Sequence, residues 1–248
     1  MKDHLEDSKI LYKGEISMSE QAVSRNRQTV RNEGAKKAAQ IGMLCALAYM
    51  VMVIIKVPVV LFLQYEPKDV IITLGGFIFG PMASFLISFI VGIVEMVTVS
   101  DTGIIGCIMN ILSSVSFACV AAFIYKREHS RKGAIKGLVL GSVAMTVIML
   151  LWNYLITPLY MGYPRETVAA MLIPTFLPFN LLKSGLNSAI LLLIYKPVVT
   201  ALRKARLIEP QAAGTESGKG VSSFGIGAVA VLIIATCVLI ILSMQGII

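Results

Sequence analysis

Charge is what this sequence of 248 residues has least of. Asp, Glu, Lys and Arg together make up 15% of it, against 56% hydrophobic residues. A soluble domain carries roughly 25% charged and 45–50% apolar residues, so a water-soluble globule is excluded. The four cysteines (Cys45, Cys107, Cys119, Cys237) all lie inside apolar runs, with no Cys-x-x-Cys pair. That pattern fits neither a zinc site nor a disulfide framework, and it leaves buried thiols. The polar first 34 residues hold no short apolar core followed by a small-residue cleavage site, so no signal peptide is expected. No internal repeat is visible, which argues against an inverted-repeat transporter. Gly214–Gly220 imitates a phosphate-binding loop, yet its glycine spacing is one short and no Ser or Thr follows Lys219. ATP hydrolysis is therefore not expected of this chain, and no cofactor or metal site is expected either.

What the sequence does have is a series of apolar stretches long enough to cross a bilayer, which takes roughly 20 residues. Helix 1 is expected from about Ala35 to Ile55 and helix 3 from Met82 to Val99. Helix 4 is expected from Gly103 to Tyr125, helix 5 from Ala134 to Thr157, and helix 6 from Leu172 to Val199. Helix 2, from Asp69 to Phe79, is too short for a full span unless it tilts or extends into the Gly80-Pro81 corner. A linker rich in Gly, Ser and Thr (Pro210–Ser223) precedes a last apolar stretch, Ile226 to Leu242. The expected fold is an all-α integral membrane protein with six core transmembrane helices and one additional C-terminal helix. Its expected divisions are a polar arm (1–34), a six-helix membrane domain (35–206), a linker (207–223) and the extra helix (224–248). This last helix, apolar and separated by a linker, is expected to be dispensable for binding.

The net charge of +8 is distributed unevenly. Eight Lys and Arg lie between Lys2 and Lys37, five in the helix 4–5 loop (Lys126 to Lys136) and five after helix 6 (Lys196 to Lys219). The opposite side has Lys56, Lys68 and Arg165. Positive charge is retained in the cytoplasm, which puts the N-terminus and the end of helix 6 inside, in a multi-pass plasma-membrane protein. The excess of positive charge thus reads as topology and gives no reason to expect nucleic acid.

Polar side chains inside apolar helices mark the functional candidates, because they are costly in hydrocarbon. At 1.5 Å per residue, Asn110, Asn153, Asn180 and Lys183 lie ~6–17 Å below the outer surface on three helices. A polar pocket open to the outside is expected. On helix 6, Asn180, Lys183, Asn187 and Ser184 fall at about 0°, 300°, 340° and 40°, forming one stripe. Interhelical hydrogen bonding accounts for Ser184 and Asn187. Lys183 is too deep to snorkel and needs a partner or a ligand. Glu95, Asp101 and His129 could serve an intramembrane enzyme only if they met. His129 falls on the cytoplasmic side and the two acids towards the outer edge, so no enzyme is expected. No paired intramembrane carboxylates are visible that would hold a coupling ion. On helix 1, Ala38, Gly42 and Ala46 form a smooth small-residue groove that suits either packing within the bundle or a partner helix.

Four segments carry a family resemblance. They are Tyr65-Glu66-Pro67-Lys68-Asp69-Val70, Phe77-Ile78-Phe79-Gly80-Pro81, Trp152-Asn153-Tyr154 with Pro158-Leu159-Tyr160, and Leu177-Pro178-Phe179-Asn180-Leu181-Leu182-Lys183. Over about Ala35 to Arg206 the chain resembles the riboflavin-specific S components of energy-coupling-factor (ECF) transporters. The resemblance implies a six-helix subunit that binds the vitamin from outside and docks on a T component driven by two cytoplasmic ATPases. It implies that Asn153, Asn180 and Lys183 hold the flavin ring, and that the loop from Val57 to Lys68 closes over it. The dimethylbenzene end of the ring would meet Val59, Leu61, Phe62 and Leu63, with Asn110 and Tyr65 as further candidates. It also implies that Ala38, Gly42 and Ala46 meet the T component. An S component for another small aromatic vitamin and a stand-alone secondary carrier are the alternatives.

Overall fold

A computed structural model describes residues 31–60, 63–99, 103–204 and 223–244. The chain divides into two compact units, Met1–Gly42 and Met43–Ile248. Of the first, residues 31–42 are described and are helical; they open helix α1, Arg31–Ile54. Then follow strands β1 (Val57–Val60) and β2 (Leu63–Tyr65) and helices α2 (Lys68–Phe79), α3 (Pro81–Thr98), α4 (Gly103–Glu128) and α5 (Arg131–Met161). Helix α6 (Arg165–Met171) passes through a π-helical turn (Leu172–Phe176) into α7 (Leu177–Lys204), and α8 spans Ser223–Met244.

Five of these helices, among the described residues, are long and apolar enough to cross a membrane, and Gly227–Ser243 of α8 is a shorter apolar stretch. Their outward faces expose large apolar side chains such as Phe85, Phe89, Leu140 and Val147. Water would not tolerate such a continuous surface, whereas lipid does. Helix α2, at twelve residues, is about 18 Å long and falls short of the ~30 Å hydrocarbon core.

Local chemistry explains the boundaries. Gly80 takes φ 95° between α2 and α3, a conformation that glycine adopts without steric cost, and Pro81 then supplies the fixed φ of a first helical turn. Ser130 caps α5 by accepting from the Gly133 N–H at 3.0 Å. The helix 6 expected to begin at Leu172 instead contains the π turn, which includes Pro174. Proline has no N–H to continue an α-helical ladder there.

Close packing holds α4 against α5. A β-carbon at Gly137 or Gly141 would lie 2.6 Å from the carbonyl oxygen of Ala121 or Phe117 respectively, so the two backbones approach where side chains are absent. Gly76 serves α2 in the same way, since its β-carbon would lie 2.7 Å from that of Ala122.

Two expectations change. The segment from Val57, expected as a loop, forms an antiparallel hairpin pairing Val57 with Tyr65, Pro58 with Gln64 and Val60 with Leu63. Its β-branched residues favour strands, and Val59, Leu63 and Tyr65 turn inward. The C-terminal helix does not stand apart from the core either. It packs along α7 and touches β1, burying Ala230, Cys237 and Ile241. Cys237 and Ile241 share one apolar cluster with Val59, Leu63, Tyr65, Phe176, Leu182 and Leu186. The sequence between 205 and 222, including the expected linker and the phosphate-loop mimic, lies outside the described residues.

Candidate functional site

The two ends of the Met43–Ile248 bundle differ in chemistry. At one end, Phe77 of α2 stacks on Tyr125 of α4 with centroids 4.4 Å apart, and Tyr195 of α7 meets both rings edge-on. The hydroxyls of Tyr125 and Tyr195 are hydrogen-bonded to each other. At the other end, the hairpin and the start of α2 bring charge into the protein interior.

Lys68, the first residue of α2, is 2% exposed. Its ammonium pairs with Glu66 Oε2 at 2.6 Å and with Glu95 of α3, and it also reaches Met52 Sδ at 3.7 Å. Lys56 lies 4.0 Å from the other oxygen of Glu66. Asn110 Nδ2 of α4 donates to Glu95 Oε1 at 2.7 Å. A buried ammonium needs such partners, because desolvation without them costs several kcal/mol.

Asp69, the next residue, is fully buried. Ser114 donates to its Oδ1; Asn187 Nδ2 donates to Oδ2 at 3.3 Å, and Lys183 Nζ pairs with Oδ2 at 3.4 Å. Lys183 Nζ is also 3.4 Å from the Ser113 hydroxyl. Tyr65 of β2 completes the chain by donating its hydroxyl to Asn187 Oδ1 at 3.1 Å. Burial pushes the Tyr65 phenol well above its ordinary range, with Asp69 and then Cys237 adding to the shift, so it acts as a donor.

The structure thus joins three of the expected residues, Asn110, Lys183 and Tyr65, to two adjacent charge clusters at one end of the bundle. Asn153 and Asn180 are buried on α5 and α7, and each donates its amide N–H to the carbonyl one turn back, Met149 and Phe176, at 2.7 Å. Asn153 Oδ1 also accepts from Thr157 at 2.9 Å. Leu63 is buried in the apolar cluster beneath the hairpin. Leu61 and Phe62 lie outside the described residues. On α1, Ala38, Gly42 and Ala46 are all exposed, and a β-carbon at Gly42 would meet nothing within 4 Å. Asn187, expected as interhelical glue, does bond across helices, whereas Ser184 bonds back to Leu181 O in its own helix.

Glu66, outside the spanning helices, and Glu95 of α3 share Lys68, a pairing the sequence did not bring out. They lie 29 positions apart in sequence and meet through Lys68 at the start of α2, which packs on α3. Asp69, Ser113 and Ser114 were also missed. The signal was Lys68-Asp69 at the mouth of an apolar helix, a pair that reads as ordinary interfacial charge until a burial is known.

A sequence profile for the family described as "ECF transporter, substrate-specific component" matches residues 36–195. The chain belongs to this family. Among similar S components and transporters is the riboflavin transporter FmnP of Bacillus subtilis (strain 168), 28% identical over 187 residues, which are 69% of this chain and 98% of FmnP. The riboflavin transporter RibU of Streptococcus thermophilus (strain ATCC BAA-250 / LMG 18311) is 32% identical over 107 residues, 40% of this chain and 51% of RibU. A solved structure described as the S component of a bacterial ECF transporter superposes with a TM-score of 0.59 at 28% identity. It covers 68% of this chain and 99% of the solved one.

Proposed function

We propose that this S component binds riboflavin at the polar end of its bundle and delivers it inward together with a T component and two cytoplasmic ATPases. The observation that carries the proposal is the joining of Tyr65, Asn110 and Lys183 to the buried charge clusters around Asp69 and Glu95 beneath the hairpin, on a bundle that also buries Asn153 on α5 and Asn180 on α7. Similarity to riboflavin transporters, across nearly all of FmnP, supports the choice of ligand. The pyrimidine edge of a flavin offers carbonyl acceptors and an imide donor. Asn side chains supply donors and an acceptor, and the Lys183 ammonium has a third N–H beyond those aimed at Asp69 and Ser113. The apolar cluster that includes buried Val59 and Leu63 backs the hairpin there and suits the dimethylbenzene end.

The Lys and Arg excess before α1, between α4 and α5 and after α7 supports a cytoplasmic N-terminus in the cell membrane, which leaves the hairpin end outside. The exposed stripe of Ala38, Gly42 and Ala46 is the proposed surface for the T component.

The decisive test is to purify the protein from riboflavin-rich cells and record its visible spectrum. A bound-flavin spectrum is expected. A colourless protein that also leaves added riboflavin fluorescence unquenched would remove the proposal.

A further inference from the structure

Lys183 is not a lone cation in the binding region. The Asp69 carboxylate lies 3.4 Å from its ammonium and is 0% exposed, so water screens neither group. Three separate elements fix that carboxylate: α4 through Ser114, α7 through Asn187 and Lys183, and α2 through its own backbone. Tyr65 of the hairpin then bonds to Asn187 rather than to the carboxylate, so the hairpin reads the state of Asp69 through one intermediary. Asp69 also opens α2 within its first turn, where the helix dipole favours a negative charge.

We infer that Asp69 is a specificity-determining and positioning residue: as the fixed counter-ion of Lys183, it lets that ammonium donate a hydrogen bond to a neutral ligand while denying an anionic one a net positive site. This inference rests on the proposed flavin-binding function. A single buried ammonium would attract a phosphorylated flavin; paired with Asp69, it presents a donor with little net charge. Interactions between unit charges across a protein interior remain worth about a tenfold change in binding at several ångströms, so the effect does not need phosphate to touch Lys183.

Riboflavin and riboflavin 5′-phosphate are the probes, with dissociation constants measured by fluorescence quenching on the purified full chain. The quantity of interest is the ratio of the phosphate ester's constant to that of riboflavin. Asp69→Asn keeps the shape but frees the ammonium, and the ratio is expected to fall fivefold or more. Lys183→Met leaves the carboxylate unbalanced, and the ratio is expected to rise. Combining both substitutions removes both charges and should return the ratio to near that of the unaltered chain, a reversal that a merely structural role would not produce. If Asp69→Asn does not fold, the Lys183→Met arm decides alone. A ratio that stays within twofold in every folded variant, with riboflavin still bound, overturns the role of Asp69 and leaves the function standing. Failure of the unaltered chain to bind riboflavin overturns the functional reading and this inference with it.

Discussion

At the scale of single residues, burial separates groups that hold the fold from groups that meet a ligand. Lys68 is surrounded by Glu66 and Glu95, so Lys68→Met leaves two buried carboxylates without their cation. Breaking a buried pair from one side costs about 3–5 kcal/mol. The variant is therefore expected to unfold at markedly lower temperature in detergent, and an unchanged thermal midpoint would show that the carboxylates reach water. Asn180→Leu acts on the ligand instead, and Lys183→Met acts on the ligand while also taking the cation from buried Asp69, whose carboxylate keeps its hydrogen bonds from Ser114 and Asn187. An unpaired buried acceptor costs about 1–3 kcal/mol, so riboflavin should bind roughly tenfold more weakly in either variant while the bundle stays folded. Flavin fluorescence quenching reads this directly, and unchanged affinity in both would remove them from the site. Asn110, Asn180 and Lys183 stand out in the sequence as candidates because a polar residue within an apolar run has no cheap explanation. Glu66, Lys68 and Asp69 were not, because charge at a helix mouth is normal. Their roles depend on α3 and α7, which are distant in sequence.

Individual elements show a second limit on what sequence conveys. The apolar spans and the Gly80-Pro81 corner follow from composition and backbone sterics, and α2 through α5 fall within a few residues of their expected bounds. The hairpin was hidden because Val57–Tyr65 is too short and too apolar for its period to distinguish a strand from a loop. The packing of α8 was hidden because an apolar helix carries no mark of whether lipid or protein covers it. Its buried residues Ala230, Cys237 and Ile241 follow a spacing of seven and four, a seam seen only once α7 lies against it. Gly185 of α7 faces that seam, with its β-carbon position 3.8 Å from Cys237 Sγ. Truncation after Arg206, which removes the helix expected from sequence to be dispensable for binding, uncovers the cluster that seats the hairpin. Riboflavin should then dissociate at least threefold faster, a change of about 0.65 kcal/mol. Stopped-flow fluorescence measures the rate; an unaltered rate in a folded truncation would make α8 a bystander.

For the whole molecule, binding and energy supply are expected to separate. The proposed ligand site lies at one end of the Met43–Ile248 bundle, and uptake is expected to require the T component and ATPases while binding does not. Replacing Ala38, Gly42 and Ala46 with leucine fills the exposed groove of α1 and should abolish ATP-driven uptake in reconstituted liposomes, with riboflavin affinity kept within about threefold. Uptake by this subunit alone would favour an independent carrier. The aromatic cluster of Phe77, Tyr125 and Tyr195 has its own bearing on that division of labour. Those rings pack α2, α4 and α7 together at the end of α2 away from Lys68 and Asp69. With rings packed there, a subunit waiting for its partners is expected to keep its membrane tight to ions, which a conductance measurement on liposomes holding this chain alone would check.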